Sequence, residues 1–124
     1  MNVVNTGDLA WIAETEFRDL VAEVFLLDIN QLRISLYEES FVDIWYSLKL
    51  FGRYSYHWER RAIDGMIYRH DNAPYEGWKN LSTYPAHFHN GSEANAVESW
   101  ISADPETALR QFLSFVRTKL RAEE

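Results

Sequence analysis

The sequence predicts an α+β fold: an antiparallel meander of five to six strands, packed by a C-terminal helix and a short N-terminal helix. Three observations predict it. Apolar and polar residues alternate with a period of two through most of residues 32–71, the pattern of half-buried strands. Turn-forming residues interrupt that alternation at short intervals, which favours antiparallel neighbours over long crossovers. Residues 104–121 switch to a helical period with both ends marked.

Taken in order, Thr6 is placed to cap a first helix in which Leu9, Ile12, Ala13 and Phe17 follow helical spacing. Residues 21–29 form a nearly continuous apolar strand. Leu32, Ile34 and Leu36 then alternate with Arg33, Ser35 and Tyr37, and Val42, Ile44, Tyr46 and Leu48 with Asp43, Trp45 and Ser47. Tyr54, Tyr56 and Trp58 alternate with Ser55, His57 and Glu59, and residues 66–71 make a fifth run. Breaks fall at Asn30-Gln31, Glu38-Glu39-Ser40, Phe51-Gly52 and Asp64-Gly65, with Arg60-Arg61 read as a solvated hairpin tip. Residues 72–95 read as a long irregular loop, a length that in a compact domain usually accompanies function. A short strand around residues 96–100 rejoins the sheet. In the last helix Asp104 is the N-cap, Pro105 the first helical residue and Glu106 a favourable charge at the positive end. Leu109, Phe112, Leu113, Val116 and Leu120 form its apolar stripe, with Arg117, Lys119 and Arg121 near the negative end.

Residues 1–124 have the length of one ordinary domain, and the composition is globular. No run of about 18 apolar residues exists to span a membrane. The segment Met1-Asn2-Val3-Val4-Asn5 lacks the basic and apolar parts of a signal peptide, and the chain has no cysteine for disulfides or thiolate metal sites. A cytoplasmic location is the expectation. The net charge of −7 argues against non-specific nucleic-acid binding, which needs a basic surface. The charge is uneven, however: −6 over residues 1–52, +1 over 53–89 and −2 over 90–124. The middle third can therefore receive an anion.

That third holds every histidine: His57, His70, His87 and His89. Imidazoles titrate near physiological pH, so a group of them beside an arginine and an aspartate can move protons, bind a metal or hold a phosphate. Side chains two apart on a strand share a face. If the aromatic residues face the helix, with Trp58 paired to Met66 and Tyr56 to Tyr68, then His57, Arg69 and Asp71 emerge together on the other face, while His70 turns to the core. A one-residue slip would break the grouping. His87 and His89 share the two-residue spacing and can close over the sheet.

Three readings stay open. In the first, metal-free acid–base catalysis on a phosphodiester, His57 and one of His87 or His89 exchange protons, Arg69 holds the phosphate and Asp71 orients an imidazole or pairs with Arg69. RNA suits such a site because its 2′-OH is an internal nucleophile. In the second, His87 and His89 with Asp71 or His57 bind a divalent metal; two imidazoles at this spacing are short of the three or four ligands zinc takes. In the third, Arg69 and Asp71 are a strand ion pair and the histidines are loop anchors. Asn72, Tyr75, Trp78 and Tyr84 are the candidates for substrate contact. The acidic charge favours a rival of another class, a non-catalytic module that grips a protein or nucleotide.

The run Tyr54-Ser55-Tyr56-His57-Trp58, then Arg69-His70-Asp71-Asn72-Ala73-Pro74, then Pro85-Ala86-His87-Phe88-His89 resembles the TumE-type toxin family of type II toxin–antitoxin systems. The likeness centres on residues 53–91. By position it carries over His57, Arg69, Asp71, Asn72, Pro74, His87 and His89. Two positions depart from the family pattern: Tyr75 and Ala86 stand where members often have histidine, losses that weaken a polyhistidine metal site more than an acid–base pair. The resemblance implies a cytoplasmic growth-inhibiting toxin, held by a cognate antitoxin protein. RNA as substrate is the inference from the site chemistry, no cofactor is needed in the leading reading, and a homo-oligomer is compatible with it.

Overall fold

The computed structural model describes residues 4–124, so the first three residues of the segment read against a signal peptide lie outside it. Helix α1 (Thr6–Glu16) precedes strands β1 (Val21–Asp28), β2 (Gln31–Leu36), β3 (Phe41–Tyr46) and β4 (Tyr54–Arg60). A single helical turn, α2 (Arg61–Asp64), leads to β5 (Met66–Asp71). Then come a 3-10 turn (Glu76–Trp78), β6 (His87–Gly91), β7 (Ala96–Glu98) and helix α3 (Pro105–Ala122). The sheet is a seven-stranded antiparallel meander in which strand order equals chain order. The sequence predicts five to six strands, and the difference lies in the supposed loop. Residues 87–91 continue the sheet because His87, Phe88 and His89 extend the alternation, with Phe88 paired to His70 and turned into the core.

One sheet face is the core. Leu32, Ile34, Val42, Ile44, Tyr56 and Trp58 are fully buried on it, against Leu109, Phe112 and Leu113 of α3 and Leu9, Ile12 and Ala13 of α1. Burying each such large side chain stabilises the fold by about 1.5–3 kcal/mol. Polar edges of the aromatic residues find partners: the Trp58 indole donates to Ser40 Oγ at 2.8 Å, Tyr46 and Tyr56 share a hydroxyl hydrogen bond, and Tyr56 reaches the Pro105 carbonyl. Helix α3 is capped as expected, the Asp104 side chain accepting from the Thr107 N–H. In α1 the cap is Asn5, not Thr6. The Asn5 side-chain Oδ1 accepts from the Asp8 N–H, while Thr6 is buried and donates to the Ile29 carbonyl. Strand β1, bulged near both ends, is an edge whose Phe25, Leu26 and Leu27 are 40–58% exposed.

The β4–β5 register differs from the expected one by two residues: Trp58 pairs with Tyr68, Tyr56 with His70 and His57 with Arg69. A shift of two preserves every side chain's face. Its cause is Arg60, which keeps the alternation going beyond Trp58. Arg60 is 4% exposed rather than a solvated tip, with its guanidinium 5.1 Å from the Trp58 ring and bonded to Glu123, Asp64 and Glu38. The strand therefore runs two residues further, and the chain reverses within one helical turn closed by Gly65 at φ 80°, a left-handed conformation that glycine adopts without strain.

His70 lies in the core with no exposure, stacked on Phe88 at 4.2 Å, its Nδ1 2.8 Å from Ser99 Oγ. Burial pushes its pKa down from 6.5 to about 3. The unfolded chain binds a proton that the folded chain excludes, so the stability this residue contributes is complete above pH 6.5 and declines toward pH 3. We expect a loss of up to about 1.4 kcal/mol per pH unit through that window, with a shallower slope in His70→Leu. Urea unfolding at pH 7.5 and pH 5 measures it, and equal slopes for both proteins contradict the assignment.

Candidate functional site

The face of the sheet away from the helices carries two cross-strand rows. Arg33, Asp43, His57, Arg69 and His89 lie in register across β2 to β6, and Ser55, Asp71, His87 and Glu98 across β4 to β7. Neighbouring residues in such a row are close enough to interact directly. The core thus fixes the site by parity, since turning Tyr56, Trp58, His70 and Phe88 inward turns His57, Arg69, Asp71, His87 and His89 outward together. All five candidate catalytic residues meet on one face.

Asp71 is the hub. Its Oδ1 is 3.1 Å from His87 Nε2, and its Oδ2 is 3.7 Å from His89 Nε2 and 3.2 Å from Arg69 Nε. Burial alone would raise the Asp71 carboxyl, but the His89 hydrogen bond, the His87 charge and bonds from the Ala73 N–H and Arg69 bring it to about 2. His87 Nδ1 lies 2.9 Å from the Pro85 carbonyl and His89 Nδ1 2.8 Å from the Glu93 carbonyl. A carbonyl only accepts, so both rings carry hydrogen on Nδ1 and aim Nε2 at the carboxylate. Both rings are nearly closed off, at 3% and 4% exposure. His57 is oriented differently: Nε2 donates to Glu59 Oε1 at 3.0 Å, leaving Nδ1 to accept from Arg69 Nη1 at 3.3 Å. The Arg61 guanidinium, ahead of the His57 ring, holds the Glu59 carboxyl down to about 2 against a smaller burial effect.

Two acids escaped the sequence reading. Glu59 could have been found, since it shares the parity of His57 two residues earlier on β4. Glu93 could not. It sits in the β6–β7 turn and grips Arg69 with both oxygens at 2.8 and 2.6 Å, a contact that only the register of β6 creates. Among the loop candidates, Trp78 lies against the imidazoles, 6.3 Å from the His87 ring and 6.1 Å from that of His89, and Tyr75 stacks on Trp78 at 5.4 Å. Tyr84 is 38% exposed and, among the described residues, enters no aromatic pair with the cluster. Asn72 stands elsewhere. Its amide accepts from the Tyr54 N–H and donates to the Gly52 carbonyl, tying the β3–β4 loop to the end of β5. It lines an apolar cavity of about 600 Å3 at the end of the sheet, beside Tyr46, Leu48, Phe51 and Ile101, which includes none of the imidazoles. Ala86 lines that cavity too, so the departure there takes no imidazole from the Asp71 cluster.

A family sequence model described as "Toxin TumE" matches residues 12–120. The chain belongs to the TumE toxin family, which makes it a toxin component of a toxin–antitoxin system and implies an antitoxin partner. No curated protein and no solved structure matches it. Among the described residues, no helix is long and apolar enough to cross a membrane.

The hub geometry makes Asp71 a stability element as well. Asp71→Ala leaves the buried His87 and His89 nitrogens without their acceptor, and we expect a loss of about 1–3 kcal/mol at pH 7. Because its pKa is lowered on folding, that contribution is present above about pH 4 and disappears as pH falls through about 2. Chemical unfolding of both proteins between pH 7 and pH 2.5 follows the gap, which should narrow in acid; a constant gap contradicts this account.

Proposed function

We propose that the toxin acts in the cytoplasm as a ribonuclease, with the face of β4 to β6 away from the helices as its active site. The observation that carries this reading is the position of Arg69: its guanidinium sits between His57 and Asp71, on the same face as His87 and His89. A planar guanidinium with several donors is suited to a scissile phosphate. His57, polarised by Glu59, is placed as the base that takes the 2′-OH proton. The freed 2′-oxygen attacks phosphorus, the bond to the 5′-oxygen breaks, and a proton from the His87–Asp71 pair or from His89 goes to that leaving oxygen. The products are a 2′,3′-cyclic phosphate and a 5′-hydroxyl. Trp78, with Tyr75 stacked on it, offers a flat surface for a base.

Expression without the antitoxin should arrest growth. Arg69→Ala and His57→Ala should relieve the arrest and slow cleavage by about 100-fold or more, given the usual size of acid–base contributions, with circular dichroism unchanged. Full toxicity in both variants sinks the assignment, and intact RNA after incubation with the pure toxin favours the non-catalytic binding module that the charge of −7 allows.

Glu93 occupies the side of Arg69 that a phosphate needs, so substrate must displace it. Breaking an exposed ion pair costs about 0.2–1 kcal/mol. Glu93→Ala should therefore lower the KM for RNA by up to about five-fold, with kcat little changed; a raised KM means that Glu93 holds Arg69 in its working position instead.

A further inference from the structure

We propose that Asp71, His87 and His89 form a binding site for one divalent first-row transition cation, of which zinc is the reference. Three donor atoms, Nε2 of each ring and one carboxylate oxygen, lie within 4.8 Å of one another. A tetrahedral site with bonds of about 2.0–2.1 Å has donor–donor edges of about 3.3 Å. The two histidine–carboxylate separations, 3.1 Å from His87 Nε2 to Oδ1 and 3.7 Å from His89 Nε2 to Oδ2, lie near that value, each ring facing its own oxygen of the Asp71 carboxylate.

Hydrogen placement gives the second reason. With Nδ1–H of both rings donated to the Pro85 and Glu93 carbonyls, each ring aims Nε2 at the carboxylate, so a cation that displaces the Nε2 protons meets two nitrogen lone pairs and a carboxylate oxygen. Three electron-rich atoms facing one another in a nearly dry pocket call for positive charge between them. Ring protons can supply it, and so can a cation. The backbone acceptors on Nδ1 are also the outer contacts that fix a metal-binding imidazole in its ligating tautomer. They arise here without a separate device, because the residues just before β6 and the β6–β7 turn fold their carbonyls back onto the rings.

The surrounding charge permits a cation. Arg69 is the adverse neighbour, but Asp71 and Glu93 both pair with it, so with neutral imidazoles these three residues together carry −1. Two nitrogens and one oxygen, with no cysteine in the chain, suit zinc, manganese, iron or cobalt rather than magnesium or calcium, which take oxygen sets. Three protein ligands leave at least one coordination position for water or a phosphate oxygen, the arrangement of reactive rather than purely structural zinc. The site's part in cleavage rests on the ribonuclease reading above; there the bound cation would polarise the phosphate and the leaving oxygen's proton would come from water rather than from His87 or His89, while His57 keeps its role. Its existence does not depend on that reading.

Calorimetric titration of chelator-treated protein with Zn2+ at pH 7, in the absence of RNA, tests the site. We expect one equivalent bound, at least about 100-fold weaker binding in Asp71→Asn and in the His87→Ala/His89→Ala double variant, and undiminished binding in His57→Ala, which removes an imidazole outside the donor set. On the unaltered chain, zinc should shift the Nε2 nitrogen resonances of His87 and His89 and leave that of His70 in place, a readout that holds if a variant fails to fold. No saturable binding, or binding that the folded double variant keeps, overturns the proposal. Zinc binding without RNA cleavage refutes the ribonuclease reading and leaves the cation site standing. Chelator-resistant cleavage by a chain that binds no zinc does the reverse.

Discussion

Burial of Tyr56, Trp58, His70 and Phe88 beneath Phe112 and Phe115 decides which way every other side chain on β4 to β6 points. A pleated strand has two faces and no third choice. Once α3 covers one of them, the residues between the aromatic positions emerge on the other, and the backbone ladder aligns them across three strands. The five candidate residues therefore need no loop to bring them onto one face. A side chain on a paired strand has less freedom than one on a loop, so the separations around Asp71 inherit the rigidity of the sheet.

Electrostatics within the open face are close to balanced. Arg69 is matched by Asp71 and Glu93, His57 by Glu59, and Glu59 in turn by Arg61. The acidic net charge therefore resides largely outside this cluster, consistent with the net of +1 over residues 53–89. An anionic ligand would meet charges that are already paired, and its binding becomes an exchange of partners rather than the capture of a free cation. Exchange of this kind favours ligands whose geometry matches the guanidinium over anions in general.

Much of this was legible in the chain. The apolar patterning in residues 21–71, the turn residues and the caps of α3 located six strands, the short one near residues 96–100 included, and the long helix, and parity alone grouped His57, Arg69 and Asp71 while sending His70 inward. Parity also survived an error in pairing, because the register differed by two residues and not by one. What escaped had one physical origin: contacts created by pairing between segments distant in sequence. Residues 87–91 looked like loop since a five-residue strand beside glycine and proline has too little pattern of its own. Arg60 looked solvated because its carboxylate partners come from the β2–β3 turn, α2 and the end of α3. Asn72 was grouped with the site by neighbourhood in sequence, and its amide instead ties down the loop that precedes β4.

Strand order equal to chain order also bears on how the molecule comes into being. Each strand pairs with the one just made, so the sheet can grow by successive hairpins with short loops to close, the condition for rapid folding. The helical layer joins the ends of the chain, through Arg110 with Glu16 and Arg117 with Asp19, partners 94 and 98 residues apart. The imidazoles can thus be aligned early, by local pairing, while the aromatic face beneath them waits for α3. The geometry of the cluster is set by neighbours in sequence, and its permanence by the last helix to arrive.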